Sequence, residues 1–283
     1  GVGRGGEGRQ GPMSGDLPIV LTIAGSDSGG GAGVQMDLKV FAALGVFGTC
    51  AVTALTAQNT IGVRGAWEAP PDFVAAQIEA VLDDLPVKAA KTGMLSSEAV
   101  ARAVVEVIGR REFPPLVVDP VVVAKDGTHL LSDAGIEAVR EGLLPLATIV
   151  TPNIPEAEAL AGIAIKTRED AGRAAEKLRG LGCSWVLVKG GHLQGREVTD
   201  LLLGPDHEQE LSSPRLPGGP FHGTGCAFSA AIAAFLARGR PLPEAVHDAR
   251  EFLQHLLRDA RTLGGGARVL HPQSYTPSKG SQQ

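Results

Sequence analysis

At 283 residues, with 43% hydrophobic and 20% charged residues, the chain has the size and composition of one sizeable globular α/β domain. A formal net charge of -5 argues against a nucleic-acid-binding surface, and no apolar run approaches the ~18 residues of a membrane span. Three cysteines (Cys50, Cys183 and Cys226) share no metal-ligand spacing and make no even disulfide set, which points to a reducing cytoplasm.

In chain order, residues 1–16 are rich in Gly and Arg without apolar periodicity and are expected to form a disordered extension. Ile19–Ala24 reads as a strand. The stretch Thr22 to Gly33 leaves it for a helix marked by Val34, Leu38, Phe41 and Leu44 at 3–4 spacing. Its glycines let backbone approach a small ligand closely. It is not a dinucleotide loop, because Val34 takes the third-Gly position counted from Gly29. A Walker loop is excluded too, since no Gly-Lys pair exists.

The polar stretch Thr53 to Thr60 contains Gln58, whose amide suits an aminopyrimidine-like ring edge or simply belongs to a loop. Lys91 to Leu95 reads as another strand exit, with Met94 lining a pocket or filling core. A helix follows through Val100, Val104, Val107 and Ile108. The strand Leu116–Asp119 ends on a carboxylate, and Thr148–Thr151 is a further strand. After it, Asn153 and Glu156 stand three apart at a helix start. They are either a capping box or oxygen ligands for a hydrated Mg²⁺, with Asp119 as an additional carboxylate.

Thr167 and Asp170 signal another capped helix, carried by Ala171, Ala174, Leu178 and Leu181. The strand Trp185–Lys189 leaves Lys189, before Gly190-Gly191, as a phosphate-reaching or a solvated lysine, and Val198–Leu203 reads as one more strand. His222-Gly223-Thr224-Gly225-Cys226 then opens an apolar helix from Ala227 to Arg238. Either the unpaired N–H groups and the dipole at that helix start hold phosphate-like charge, with Gly223 and Gly225 leaving room for it, or the segment is a Gly-rich turn before a packed helix with Cys226 buried and inert. The same field is expected to favour the Cys226 thiolate as a proton acceptor. A phosphate site beside a base points to phosphoryl transfer. The polar segment 271–283 reads as a disordered tail, leaving one domain over 17–270 with a mostly parallel sheet covered on both faces.

Taken together and in order, residues 22–33, 35–39, 53–60, 91–95, 117–127, 151–158, 186–192 and 222–226 resemble the hydroxymethylpyrimidine/phosphomethylpyrimidine kinases of the ribokinase-like superfamily. The resemblance runs from about Leu17 to Thr262. It implies a three-layer α/β sandwich and a homodimer that uses ATP and Mg²⁺. It also implies phosphorylation of 4-amino-5-hydroxymethyl-2-methylpyrimidine, then of its monophosphate, in thiamine biosynthesis. Gly25, Ala32, Gln58, Met94 and Val121 would contact the pyrimidine, and Lys189 the ATP phosphates. Asn153 and Glu156 would organise Mg²⁺ through water, and Gly223, Thr224 and Gly225 would form an anion hole. Cys226 would stand where related sugar kinases carry an Asp base. Val122 in place of a frequent Met, and Ser28-Gly29 in place of Pro-Ser, depart from the family pattern. Pyridoxal kinases share the scaffold, so pyridoxal phosphorylation is the alternative activity.

Overall fold

A computed structural model describes residues 17–122, 130–193 and 195–275; the expected extension at 1–16 and the end of the tail lie outside them. The apolar run after Pro18 forms β1 (Ile19–Asp27), which turns into α1 (Gly33–Ala43). β2 (Phe47–Gln58) folds back as β3 (Val63–Glu68). The alternation continues through α2 (Pro71–Asp84), β4 (Val87–Thr92), α3 (Glu98–Gly109), β5 (Leu116–Val118) and α4 (Asp133–Ala138). Next come β6 (Ile149–Val150), α5 (Ile154–Ala161), α6 (Arg168–Arg179) and β7 (Trp185–Val188). The hairpin β8 (Glu197–Gly204) and β9 (His207–Pro214) precedes the short β10 (Phe221–His222). α7 (Thr224–Ala237), α8 (Leu242–Arg258) and β11 (Arg268–Val269) complete the order.

The main sheet runs β3-β2-β1-β4-β5-β6-β7-β8-β9. From β2 to β7 every pairing is parallel, and the outer pairings of β3, β8 and β9 are antiparallel. Parallel strands covered on both faces must be apolar on both faces. Their side chains divide accordingly with period two. Leu21, Ile23, Leu116, Val118, Val150, Val186 and Val188 pack on the side of α2 to α6. Val20, Val117, Ile149 and Leu187 pack on the side of α1, α7 and α8. The expected three-layer sandwich is therefore present.

Several boundaries differ from the sequence reading. β1 continues past Ala24 to Asp27, and the segment 53–58 lies in the long strand β2, not in a loop. Its alternating Thr, Ala and Leu pair on one edge with the exposed β3, so no continuous apolar run marks it. Asp119 lies one residue beyond β5. The tail expected from residue 271 is ordered at its start: Pro272–Ser274 make a 3-10 turn, and Tyr275 packs edge-on against Phe252 at 4.7 Å between ring centroids.

α7 is buried continuously from Ala227 to Phe235, and its alanines allow close approach to the sheet and to α8. Ala231, with no exposed surface, has no room for a larger side chain. Ala231→Leu is expected to destabilise the fold by about 1–3 kcal/mol, read as a lower midpoint of urea unfolding.

Candidate active site

Parallel strands deliver their carboxyl ends to one edge of the sheet, where ligands of such folds collect. Here the ends of β1, β4, β5, β6 and β7 bring up Gly25, Met94, Asp119, Asn153 and Lys189, and the start of α7 adds Gly223 to Cys226. All of these, together with Ala32, Gln58, Val121 and Glu156, line one cavity of about 1260 Å³. The sequence-predicted residues thus converge on a single site.

At its charged end Lys189 Nζ lies 2.9 Å from Asp119 Oδ1 and 3.9 Å from Glu156 Oε2. Ser229 Oγ donates to Asp119 Oδ2 at 3.2 Å. Burial pushes the Asp119 carboxyl up, but the Lys189 and Lys91 ammonium groups outweigh it and hold the acid below its ordinary value. Glu156 lacks that second cation. Burial pushes it up to about 7, against the pull of Lys189 and with the Asp119 charge reinforcing the rise. Lys189 itself is raised: burial disfavours its charge, and the two carboxylates outweigh that.

Asn153 and Glu156 form the complete capping box of α5. Asn153 Oδ1 accepts from Glu156 N–H at 2.9 Å, and Glu156 Oε2 accepts from Asn153 N–H at 2.7 Å. The structural reading of this pair therefore holds, and the Asn153 oxygen is engaged as a cap. Glu156 Oε1 stays outside the box. Among the described residues the one cluster of three potential metal ligands is the set His247, Asp248 and Glu251 on α8, with His247 and Glu251 exposed and Asp248 half-buried. A closed protein cage is thus not what Asp119 and Glu156 build. Two buried carboxylates, one of them still protonatable near neutrality, suit Mg²⁺, which keeps several waters and takes one or two carboxylates beside phosphates.

Gly223 begins α7 with φ 79, the left-handed region, and a Cβ there would collide with the Gly31 carbonyl. At Gly225 a Cβ would stand 3.3 Å from Lys189 Nζ and 3.6 Å from Asp119 Oδ2. The free N–H groups of α7 and the Lys189 cluster therefore face the same space.

Cys226 is partly buried beside them, and here the expected thiolate is corrected. Burial pushes the thiol up to about 11, opposed by Lys91 and reinforced by the Asp37 and Asp119 carboxylates. Lys91 was legible only as part of a strand exit. It is fully buried, 2.9 Å from Asp37 Oδ2, which also accepts from Thr22 Oγ1 at 2.6 Å. Burial disfavours the Lys91 charge, but Asp37 outweighs it and keeps Lys91 protonated. A lysine inside an alanine-rich strand was the available signal. A second unforeseen pair, Arg250 with Asp200, is buried under the Lys189 turn, and Asp200 Oδ1 accepts from Gly190 N–H at 2.9 Å.

At the other end of the cavity Met94 covers Gly25 so closely that a Cβ there would collide with its methyl group. Thr53 Oγ1 donates to the Met94 carbonyl at 2.6 Å. Gln58 ends β2 with its Oε1 3.0 Å from Thr56 Oγ1 and its Nε2 3.2 Å from His222 Nε2. His222 Nε2 also lies 3.0 Å from Asp27 Oδ2. Burial raises the Asp27 carboxyl, but the hydrogen bond from His222 and the N–H groups of Gly29 and Ala32 bring it below its ordinary value.

Known proteins match this arrangement over nearly the whole described chain. A protein named hydroxymethylpyrimidine/phosphomethylpyrimidine kinase from Streptomyces coelicolor is 47% identical over 249 residues, covering 88% of this chain and 92% of its own. The crystal structure of a phosphomethylpyrimidine kinase from Clostridium difficile superposes with a TM-score of 0.76 at 41% identity, covering 84% of this chain and 98% of that one. A pyridoxal kinase from Staphylococcus aureus, in complex with AMP-PCP and pyridoxal, gives a TM-score of 0.84 at 33% identity, covering 91% and 94%. The phosphomethylpyrimidine kinase family profile matches residues 27–271, and the chain belongs to that family.

Proposed function

We propose that this chain transfers the γ-phosphoryl group of ATP to the hydroxymethyl oxygen of 4-amino-5-hydroxymethyl-2-methylpyrimidine, and then phosphorylates the resulting monophosphate, in thiamine biosynthesis. One observation carries this reading: a single cavity joins the Gln58 amide, the Cys226 thiol, the start of α7 and the Lys189–Asp119–Glu156 cluster. In the first step the substrate oxygen bonds to the γ-phosphorus, the bond to the β-phosphate oxygen breaks, and ADP leaves. Gln58 holds the ring edge, and Gly25, Ala32, Met94 and Val121 enclose the ring. The N–H groups of Gly223, Thr224 and Gly225 and the Lys189 ammonium stabilise charge on the transferred group, which is where most such catalysis lies. Lys189 has three donors and can keep Asp119 while facing a phosphate oxygen. Asp119 and Glu156 would hold a hydrated Mg²⁺, which would supply charge neutralisation beside the phosphates.

Cys226 accepts the hydroxyl proton in its thiolate form. A pyridoxal kinase activity is the second reading, favoured by the TM-score of 0.84 to the pyridoxal-bound enzyme. A coupled ATP assay with the pyrimidine, its monophosphate and pyridoxal in parallel separates the two. Phosphorylation of pyridoxal alone overturns the first. The exposed pair Leu55 and Trp67, opposite each other on β2 and β3, supports a homodimer covering that face. The three free cysteines support a cytoplasmic location, and no described helix is long and apolar enough to cross a membrane.

Three measurements follow from the site. Lys189→Ala is expected to lower kcat by about 10²-fold or more while altering the pyrimidine KM little, since charge on the transferred group grows only during reaction. Cys226→Ser is expected to lose about 10²-fold in kcat. Because the thiol titrates near 11, wild-type kcat should keep rising with pH from 7 to 9, and the serine variant should lose that rise. For Glu156 the proton competes with the cation below about 7, so Mg²⁺ affinity of the nucleotide complex should strengthen as pH rises through that value. Calorimetric titration of Glu156→Gln should show weaker binding without that pH dependence.

A further inference from the structure

Asp27 closes the turn after β1. Its Oδ1 accepts from the Gly29 N–H at 2.8 Å, and its Oδ2 accepts from those of Gly31 and Ala32 at 3.0 and 2.9 Å. A carboxylate ringed by backbone donors acts as an acceptor only. His222 Nε2, 3.0 Å from the same Oδ2, must therefore carry a proton and donate it. With Gln58 Nε2 turned towards His222, two donors would face each other at 3.2 Å. The opposite end of the amide gives an independent argument. The Thr56 hydroxyl has one proton and lies 2.9 Å from the Ser26 carbonyl, which can only accept. Once that proton points at Ser26, Thr56 Oγ1 is left to accept, so the amide end 3.0 Å away must be the NH₂ group. Both ends require the same sense: oxygen towards His222, whose one Nε2 proton is shared between Asp27 Oδ2 and the amide, and nitrogen towards Thr56.

Used in this way, the Gln58 amide keeps one N–H and one oxygen lone pair for a ligand, side by side in a fixed order. We propose that His222 is a positioning residue that sets specificity: through Gln58 it fixes the donor–acceptor order offered to a ring edge, and so which way round an aminopyrimidine lies. An aminopyrimidine presents the matching pair, a ring-nitrogen acceptor beside an amino donor. The reversed amide would set donor against donor and acceptor against acceptor. His222 also adjoins Gly223, so the element that orients the ring is continuous with the one that faces the phosphate. The inference rests on the pyrimidine reading of the cavity given above.

The test compares His222→Leu, which removes the donor, with His222→Gln, which keeps an N–H on a side chain of similar reach. His222→Leu is expected to raise the KM for hydroxymethylpyrimidine on the order of tenfold with the KM for ATP unchanged. The preference for the pyrimidine over pyridoxal should fall by a similar factor, and His222→Gln should restore most of both. In a Gln58→Ala background the leucine change should add nothing, since it acts through that amide. Equal rises in both KM values, or full additivity with Gln58→Ala, would overturn the proposal. Wild-type turnover of the pyrimidine is read in the same assay. Its absence overturns the functional reading and this proposal together. Normal wild-type turnover with an unshifted His222→Leu KM overturns this proposal alone.

Discussion

The ammonium of Lys189 is the constraint on which the site depends. Asp119 and Glu156 are both buried, and two carboxylates removed from water are tolerated only beside a cation. The sheet sets that spacing. Lys189 N–H donates to the Pro152 carbonyl at 2.8 Å and Asp119 N–H to the Thr92 carbonyl at 3.0 Å, so the exits of β4 to β7 are tied to one another by backbone. A slip of one residue in β5 or β7 would turn its charged end to the opposite face and leave the other charges unmatched. Asp200 adds a second restraint by accepting from the Gly190 N–H, and Arg250 in turn neutralises Asp200. The Lys189 cation is thus held from both sides of its own turn.

A second buried pair, Lys91 with Asp37, lies deeper and serves a different end. It joins β4 to α1 across the layer that α7 also covers, close enough for both charges to act on Cys226. Breaking such a pair from either side typically costs about 3–5 kcal/mol, because the remaining charge stays buried alone. The pair therefore couples the folding of the α1 face to the electrostatics of the cavity floor.

Lys189, Cys226 and the glycines around them were legible because parallel strands and a helix start leave short, glycine-flanked exits that carry polar residues at fixed offsets. The partnerships were not legible. Lys91 finds Asp37 54 positions away, and Arg250 finds Asp200 at a separation of 50, so each appeared only as a charge inside an apolar segment. β2 escaped for another reason: Thr49, Thr53 and Thr56 interrupt its apolar residues, and next to the edge strand β3 most of its residues are only partly buried or exposed. Asn153 and Glu156 carried two readings from the outset. In the structure Asn153 is a cap that also lines the cavity, while Glu156 serves the box with one oxygen and faces the charge cluster as well.

The thiol of Cys226 shows why a helix start alone is a poor guide to acidity. A helix terminus favours a nearby charge by about 0.3–1 kcal/mol when exposed, and up to about 2 kcal/mol in partly buried geometry. The displacement of this thiol to about 11 corresponds to about 3 kcal/mol in the opposite sense. Desolvation, with Asp37 and Asp119 adding negative charge, therefore overcomes both the dipole and Lys91. A resting site that keeps its thiol protonated is protected from adventitious oxidation and alkylation, since the thiolate is the reactive form. In the proposed reaction the proton then falls to the minor thiolate form, at the moment when the hydroxyl grows acidic as its oxygen bonds to phosphorus. The loose transition state of phosphoryl transfer asks for no more, because positioning and charge stabilisation supply most of the rate.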